Sequence, residues 1–189
     1  AAMEAEIRPQ VILTIENICK SYNKILKYQK EKLECALDAK EFSRAKEASY
    51  KNIQNEIVLK VKTLQLSSSV LEELVQDHYK ESKKITSLEG NLLRLAEESN
   101  ITRESFIKYY LGNEINPNFK SFLNQNSTWK NFFKNNKKEF SEIRERLVEF
   151  SKAFGLPITD FKRLVSRIQK GERESRIAKK EMVEANLRL

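Results

Sequence analysis

Only four glycines and three prolines occur in 189 residues, about a third of what average usage would supply. Hairpin turns, phosphate-cradling loops and sharp strand-to-helix elbows all draw on those two residues. Their scarcity argues against a turn-rich β fold and against a Rossmann-like enzyme. Hydrophobic residues make up 40% of the chain and charged residues 33%, enough to bury a core if the apolar positions are periodic. The length suits one domain, or one domain with an extended arm. No apolar run approaches the roughly 18 residues of a membrane span, and no signal-peptide pattern opens the chain. Cys19 and Cys35 lie 16 apart with no CxxC, which suits a reducing cytosol rather than a disulfide framework. The expectation is a soluble, cytoplasmic, all-α protein without membrane association.

Three long apolar stripes carry the helical signal. Val11, Ile15, Ile18, Tyr22, Ile25, Leu33 and Leu37 recur at helical spacing, with Pro9 in the first turn. Tyr50, Ile53, Ile57, Val61 and Leu64 form the second stripe, and Ser67–Ser69 mark a turn with an N-cap. The third stripe is Leu71, Leu74, His78, Ile85, Leu88, Leu92 and Leu95, with a kink expected at Gly90. Packed antiparallel, helices of about 28 residues and 40 Å would form an elongated bundle over residues 1–98.

Shorter helices follow over residues 99–171. Asn100 and Thr102 open one that ends at Leu111, with Phe106 and Tyr109 or Tyr110 turned inward. Gly112, Asn113, Asn116 and Pro117 make the clearest loop. Residues 119–138 read as short helices with irregular joints. Phe140, Ile143, Leu147 and Phe150 share one face of a better helix, closed by Gly155 and stopped by Pro157. Thr159 is placed to cap the next, which carries Phe161, Leu164, Val165 and Ile168 and is expected to end near Gly171. A last helix over 172–189 has Ala178, Met182, Ala185 and Leu189 on one face. It has no stop signal, so the chain is expected to end part-way through a helix.

The net charge of +8 is unevenly spread. Residues 1–118 hold 18 basic and 18 acidic side chains, residues 119–138 five lysines and no acid, and residues 151–189 ten basic and five acidic groups. A basic half on a neutral half suggests a surface that faces a polyanion, since cations near phosphates release counterions. A solvated basic face is the plain alternative.

Catalysis finds no support. His78, the only histidine, falls on an apolar stripe and reads as a packed core position rather than a base. Cys19 and Cys35 read as small hydrophobes. With one histidine and two distant cysteines no zinc site of ordinary spacing can be assembled, and no phosphate-loop, dinucleotide or nucleophile-elbow motif occurs. Glu72–Glu73 and Glu97–Glu98 point to different sides of a helix and read as solvated. No cofactor or small-molecule ligand is expected. Phe119, Phe122, Trp129, Phe132 and Phe133 interleave with Lys120, Lys130 and Lys134, a pattern on which bases could stack. At three- and four-residue spacing such aromatics more often form a core. The run Arg163, Arg167, Lys170, Arg173, Arg176, Lys179 and Lys180 is the stronger functional candidate. Phosphate contact, a partner's acidic face and simple solvation all remain open for it.

The last 19 residues carry a signature. Gly171-Glu172-Arg173-Glu174-Ser175-Arg176-Ile177 followed by AKKEMVEANLRL closely resembles the start of the conserved second region of bacterial primary (housekeeping) sigma factors. Gly112-Asn113-Glu114, Trp129 and Gly155-Leu156 ahead of a basic helix resemble the end of that family's helical non-conserved region. Residues 1–98 match only in helical character. The resemblance implies a non-enzymatic initiation factor that binds core RNA polymerase and directs it to promoters. It implies β′ contact through the first part of the core-binding helix, Ala178, Met182, Ala185, Asn186 and Leu189. It also implies upstream promoter DNA near the basic residues and an effect on promoter escape. The base-flipping helix of the family comes after the point where this sequence stops. The family's acidic stretch has no counterpart here, which leaves no acidic modulation of DNA contact to carry over. Without the resemblance, the alternative is a helical protein–protein scaffold with no nucleic-acid role.

Overall fold

The computed structural model describes residues 2–123 and 126–188. The side chains of residues 2–6, 122 and 123 fall outside the description, and so do Phe122 of the aromatic series and Leu189. The described residues form eight helices and no strand, so the chain is an all-α bundle as expected. The helices are α1 (Ala2–Leu37), α2 (Arg44–Thr63), α3 (Ser68–Glu98), α4 (Arg103–Tyr110), α5 (Phe119–Leu123), α6 (Ser127–Asn135), α7 (Lys137–Phe154) and α8 (Ile158–Leu187).

The first two helices form an antiparallel hairpin. Ion pairs Lys46–Glu31 at 2.7 Å and Lys32–Glu47 at 3.3 Å cross it near the turn. Farther along, Ser21 donates to Glu56 at 3.4 Å. Ala39 sits in the left-handed region at φ 55°, letting the Lys40 N–H close α1 on the Cys35 carbonyl at 2.8 Å. The register of the second stripe holds: Tyr50 is buried, and Ile53, Ile57 and Val61 are half-buried. The first stripe is only partly used. Ile25 and Leu33 are buried, whereas Val11, Ile15 and Tyr22 are exposed. Periodicity fixes which face a helix would bury, but burial needs a partner, and α2 runs out before the start of α1. Cys19, read as a small hydrophobe, is likewise exposed, and Cys35 is half-buried. Pro9 is not in the first turn, because α1 begins seven residues earlier at Ala2.

The third helix finds its partners later in the chain. It packs on α4, α7 and α8 rather than forming a three-helix bundle with α1 and α2. Of its stripe Ile85 and Leu92 are buried, Leu88 and Leu95 are half-buried, and Leu71 and Leu74 remain exposed. Ser67 stands at the N-cap position, but its hydroxyl meets Ser69 at 3.1 Å and makes no cap bond. Helix α3 runs unbroken through Gly90. His78 is hydrogen-bonded as expected, with Nδ1 at 2.7 Å from the Leu74 carbonyl and its ring stacked 6.1 Å from Phe161, but it lies half-buried at the edge of the core rather than inside it.

Two apolar clusters hold the shorter helices. Leu92, Ala96, Phe106, Tyr110, Phe119, Trp129, Phe132, Phe133 and Phe140 form an aromatic core around the end of α3. Tyr110 is the tyrosine that turns inward; Tyr109 is exposed. Thr102 caps α4 by accepting the Ser105 N–H at 3.3 Å, and Asn100 takes the left-handed turn before it at φ 61°. The second cluster joins Leu33, Ile85, Ile115, Leu147, Ile158, Phe161 and Val165, so that the end of α1 and the start of α8 share one core. Ile143 touches both clusters. Gly155 closes α7 in the left-handed conformation at φ 68°, as the sequence predicts, and the Leu156 N–H reaches back to the Ser151 carbonyl at 3.2 Å.

Two expectations about α8 fail. Thr159 does not cap it: Pro157 occupies the N-cap position, and the Thr159 hydroxyl donates instead to Glu114 at 3.1 Å. Nor does the helix end at Gly171, which lies inside one continuous α8 of 30 residues. A single glycine between good helix formers costs about 1 kcal/mol, too little to stop a helix. At 1.5 Å per residue α8 is about 45 Å long.

Candidate functional site

The first half of α8 is anchored by charge as well as by packing. Asp160 pairs with Lys32 of α1 at 2.8 Å, and Lys32 also reaches Glu47 of α2, so three helices meet at one ammonium. Burial lowers the pKa of the Lys32 amine, but Asp160 and Glu47 together hold it above its ordinary value. Lys162 lies 2.5 Å from Glu89 of α3 and 3.6 Å from Glu114 in the loop after α4. Burial pushes the Glu89 carboxyl up despite the Lys162 ammonium beside it. Tyr110 is pushed up by burial and by the same two carboxylates. A final tether is the Tyr79 phenol of α3, which donates to the Glu172 carboxylate and has its own pKa raised by that bond.

Beyond these contacts α8 leaves the body. Every described residue from Gln169 to Arg188 is exposed. Arg163, Arg167 and Lys170 are spaced four and three apart and share one face. Arg173 and Lys180 fall on the neighbouring face, and Arg176 and Lys179 lie further round, so the cations wind about the helix. Some are partly neutralised: Arg163 pairs with Asp160 at 3.1 Å, Lys170 with Glu174 at 3.8 Å and Lys180 with Glu184 at 3.6 Å. Among the described residues Arg167, Arg173, Arg176 and Lys179 make no ion pair. Ala178, Met182 and Ala185 share a face with Asn186 at its edge, and Met182 is 69% exposed. An exposed apolar face beside free cations suits a partner with both apolar and acidic surface.

The other sequence candidates resolve differently. Trp129, Phe119, Phe132 and Phe133 are buried against one another, with ring centroids 5.3–6.0 Å apart, so they are core and offer no stacking platform. Among the described residues no group of three His, Cys, Asp or Glu side chains converges on one point. Sequence reasoning missed the side chains that position α8: Lys32, Tyr79, Glu89, Glu114, Asp160 and Lys162. The sequence marks Gly112-Asn113-Glu114 as a loop with a family likeness, but only the fold shows Glu114 buried beneath Thr159 and Lys162.

The helical body thus holds one end of a long basic helix and leaves the other end exposed. The family model described as the sigma-70 non-essential region matches residues 1–150, most of that body. The chain therefore belongs to the sigma-70 family and has the role of a sigma factor in transcription initiation, in association with RNA polymerase. Helix α8 lies outside the matched residues.

Proposed function

We propose that α8 is the working surface of this part of the sigma factor. Ala178, Met182, Ala185, Asn186 and Leu189 form the beginning of a face that docks on the β′ subunit of core polymerase. Arg163, Arg167, Lys170, Arg173, Arg176, Lys179 and Lys180 run beside promoter DNA upstream of the melted region, and through it affect promoter escape. The observation that carries this reading is the exposure of the whole arm from Gln169 to Arg188 while its root is fixed at Asp160, Lys162 and Glu172. A helix whose first turns are packed and ion-paired while its second half buries no side chain against its own body is built to meet something else. The body of α1–α7 then sets the direction of the arm.

The test is transcription by holoenzyme carrying Arg167→Glu with Arg173→Glu in the complete sigma factor. Both side chains are exposed and unpaired, so the bundle stays folded. Initiation or escape falls, and the salt dependence of promoter binding becomes shallower, by about one ion for each phosphate no longer neutralised. Unchanged transcription with an unchanged salt slope removes the basic strip from the function and leaves a protein-only scaffold.

A further inference from the structure

The fold follows a consistent rule for half-buried cations, and departs from it at one place. Five basic side chains in the described residues are half-buried: Lys32, Lys60, Lys120, Arg144 and Lys162. Lys32 has Asp160 and Glu47, Lys60 has Glu56 at 2.6 Å, and Lys162 has Glu89 and Glu114. Lys120 and Arg144 have no carboxylate within 4 Å among the described residues, and they line the same cleft of about 450 Å³ between α5 and α7. The Lys120 ammonium lies over the Phe140 ring, 5.0 Å from its centre. One Arg144 nitrogen donates to the Ile115 carbonyl at 3.2 Å, while its Nε is buried with no partner.

Leaving charge half-buried and unpaired is costly, and two like charges on one cleft add to the cost. Lys120 shows it: burial, then Arg144 and Lys137, all lower its pKa. Such a local penalty is characteristic of a site that is completed by something the chain does not itself supply. We propose that Lys120 and Arg144 form a binding site for a phosphate oxyanion. An anion between them would give both cations a charge-assisted partner, with the Ser141 hydroxyl on the same wall as a further donor. Glu145, Glu149 and the exposed Lys152 also line the cleft, which sets three cations against two carboxylates. That small net charge fits it to one phosphate group rather than to a track of them. The site does not depend on the role given to α8, which lies on other elements. The phosphate comes either as a free anion, inorganic or on a nucleotide, or as one diester of a DNA backbone.

The experiment titrates the isotope-labelled 189-residue chain with inorganic phosphate, and separately with a short DNA duplex, at constant ionic strength. The readout is the Nε–H resonance of Arg144. The proposal expects a saturable shift with at least one probe. Phosphate alone identifies a free anion, the duplex alone a backbone diester. Lys120→Met weakens the effective probe by about tenfold or more, Lys120→Gln serves if the methionine variant misfolds, and Lys20→Met on the exposed surface of α1 changes nothing at Arg144. No saturable shift with either probe, or unchanged affinity without the Lys120 charge, overturns the proposal.

Discussion

The Tyr79 phenol on α3 donates to the Glu172 carboxylate on α8, and this bond, between residues 93 apart in sequence, is the last tether before the arm leaves the body. Its exposed position makes it a weak stabiliser but a well-placed hinge pin. Tyr79→Phe should leave global stability within about 1 kcal/mol. It should raise amide exchange over the turns of α8 around Glu172. Exchange there equal to that of the unaltered chain would show that packing alone fixes the arm.

Lys32 carries a larger share. It holds Asp160 and Glu47 at 2.8 and 3.3 Å, and both carboxylates are mostly shielded. Lys32→Met leaves the two acids facing each other and should cost about 2–3 kcal/mol in urea unfolding. Adding Asp160→Asn should restore part of that loss, and the non-additivity measures the coupling.

Glu89 gives a pH signature. Its folded carboxyl is raised above the ordinary 4.5 by burial, so the folded state holds the proton more tightly than the unfolded chain. Stability contributed by that proton is present at low pH and is lost as pH rises from about 4.5 through the folded value. The stability of Glu89→Gln relative to the unaltered chain should therefore increase across that window. A constant difference would mean that Glu89 titrates normally in the fold.

Left-handed turns give predictions of opposite sign. Gly155 sits at φ 68°, so Gly155→Ala should destabilise by about 1–2 kcal/mol through backbone strain, since no atom blocks the added carbon. Ala39, at φ 55°, already bears that strain. Ala39→Gly should be neutral or stabilising by up to about 1 kcal/mol in thermal unfolding.

What could be read from the chain was whatever short-range spacing controls. The Phe140–Phe150 face, the Thr102 cap, the Gly155 stop and the inward spacing of Trp129, Phe132 and Phe133 all depend on neighbours within a few residues. The exposure of Val11 and Ile15 did not follow, because periodicity is blind to whether a partner reaches that far along the helix. Gly171 misled for the opposite reason. A glycine marks a stop only where the backbone turns left-handed, and at Gly171 nothing forces that turn. The root of α8 was invisible as well, since Lys162 meets Glu89 across 73 residues and Tyr79 meets Glu172 across 93. Charge counting placed basic character in the carboxyl half but could not separate the paired Lys162 from the unpaired Arg167.

Docking of the exposed α8 face on polymerase can be read by placing a photo-crosslinking amino acid at Met182 in the complete sigma factor and irradiating the assembled holoenzyme. Docking of this face predicts a crosslink from Met182 to β′ that is lost when core polymerase is omitted. Crosslinking confined to the sigma factor itself, or to another subunit, would contradict it.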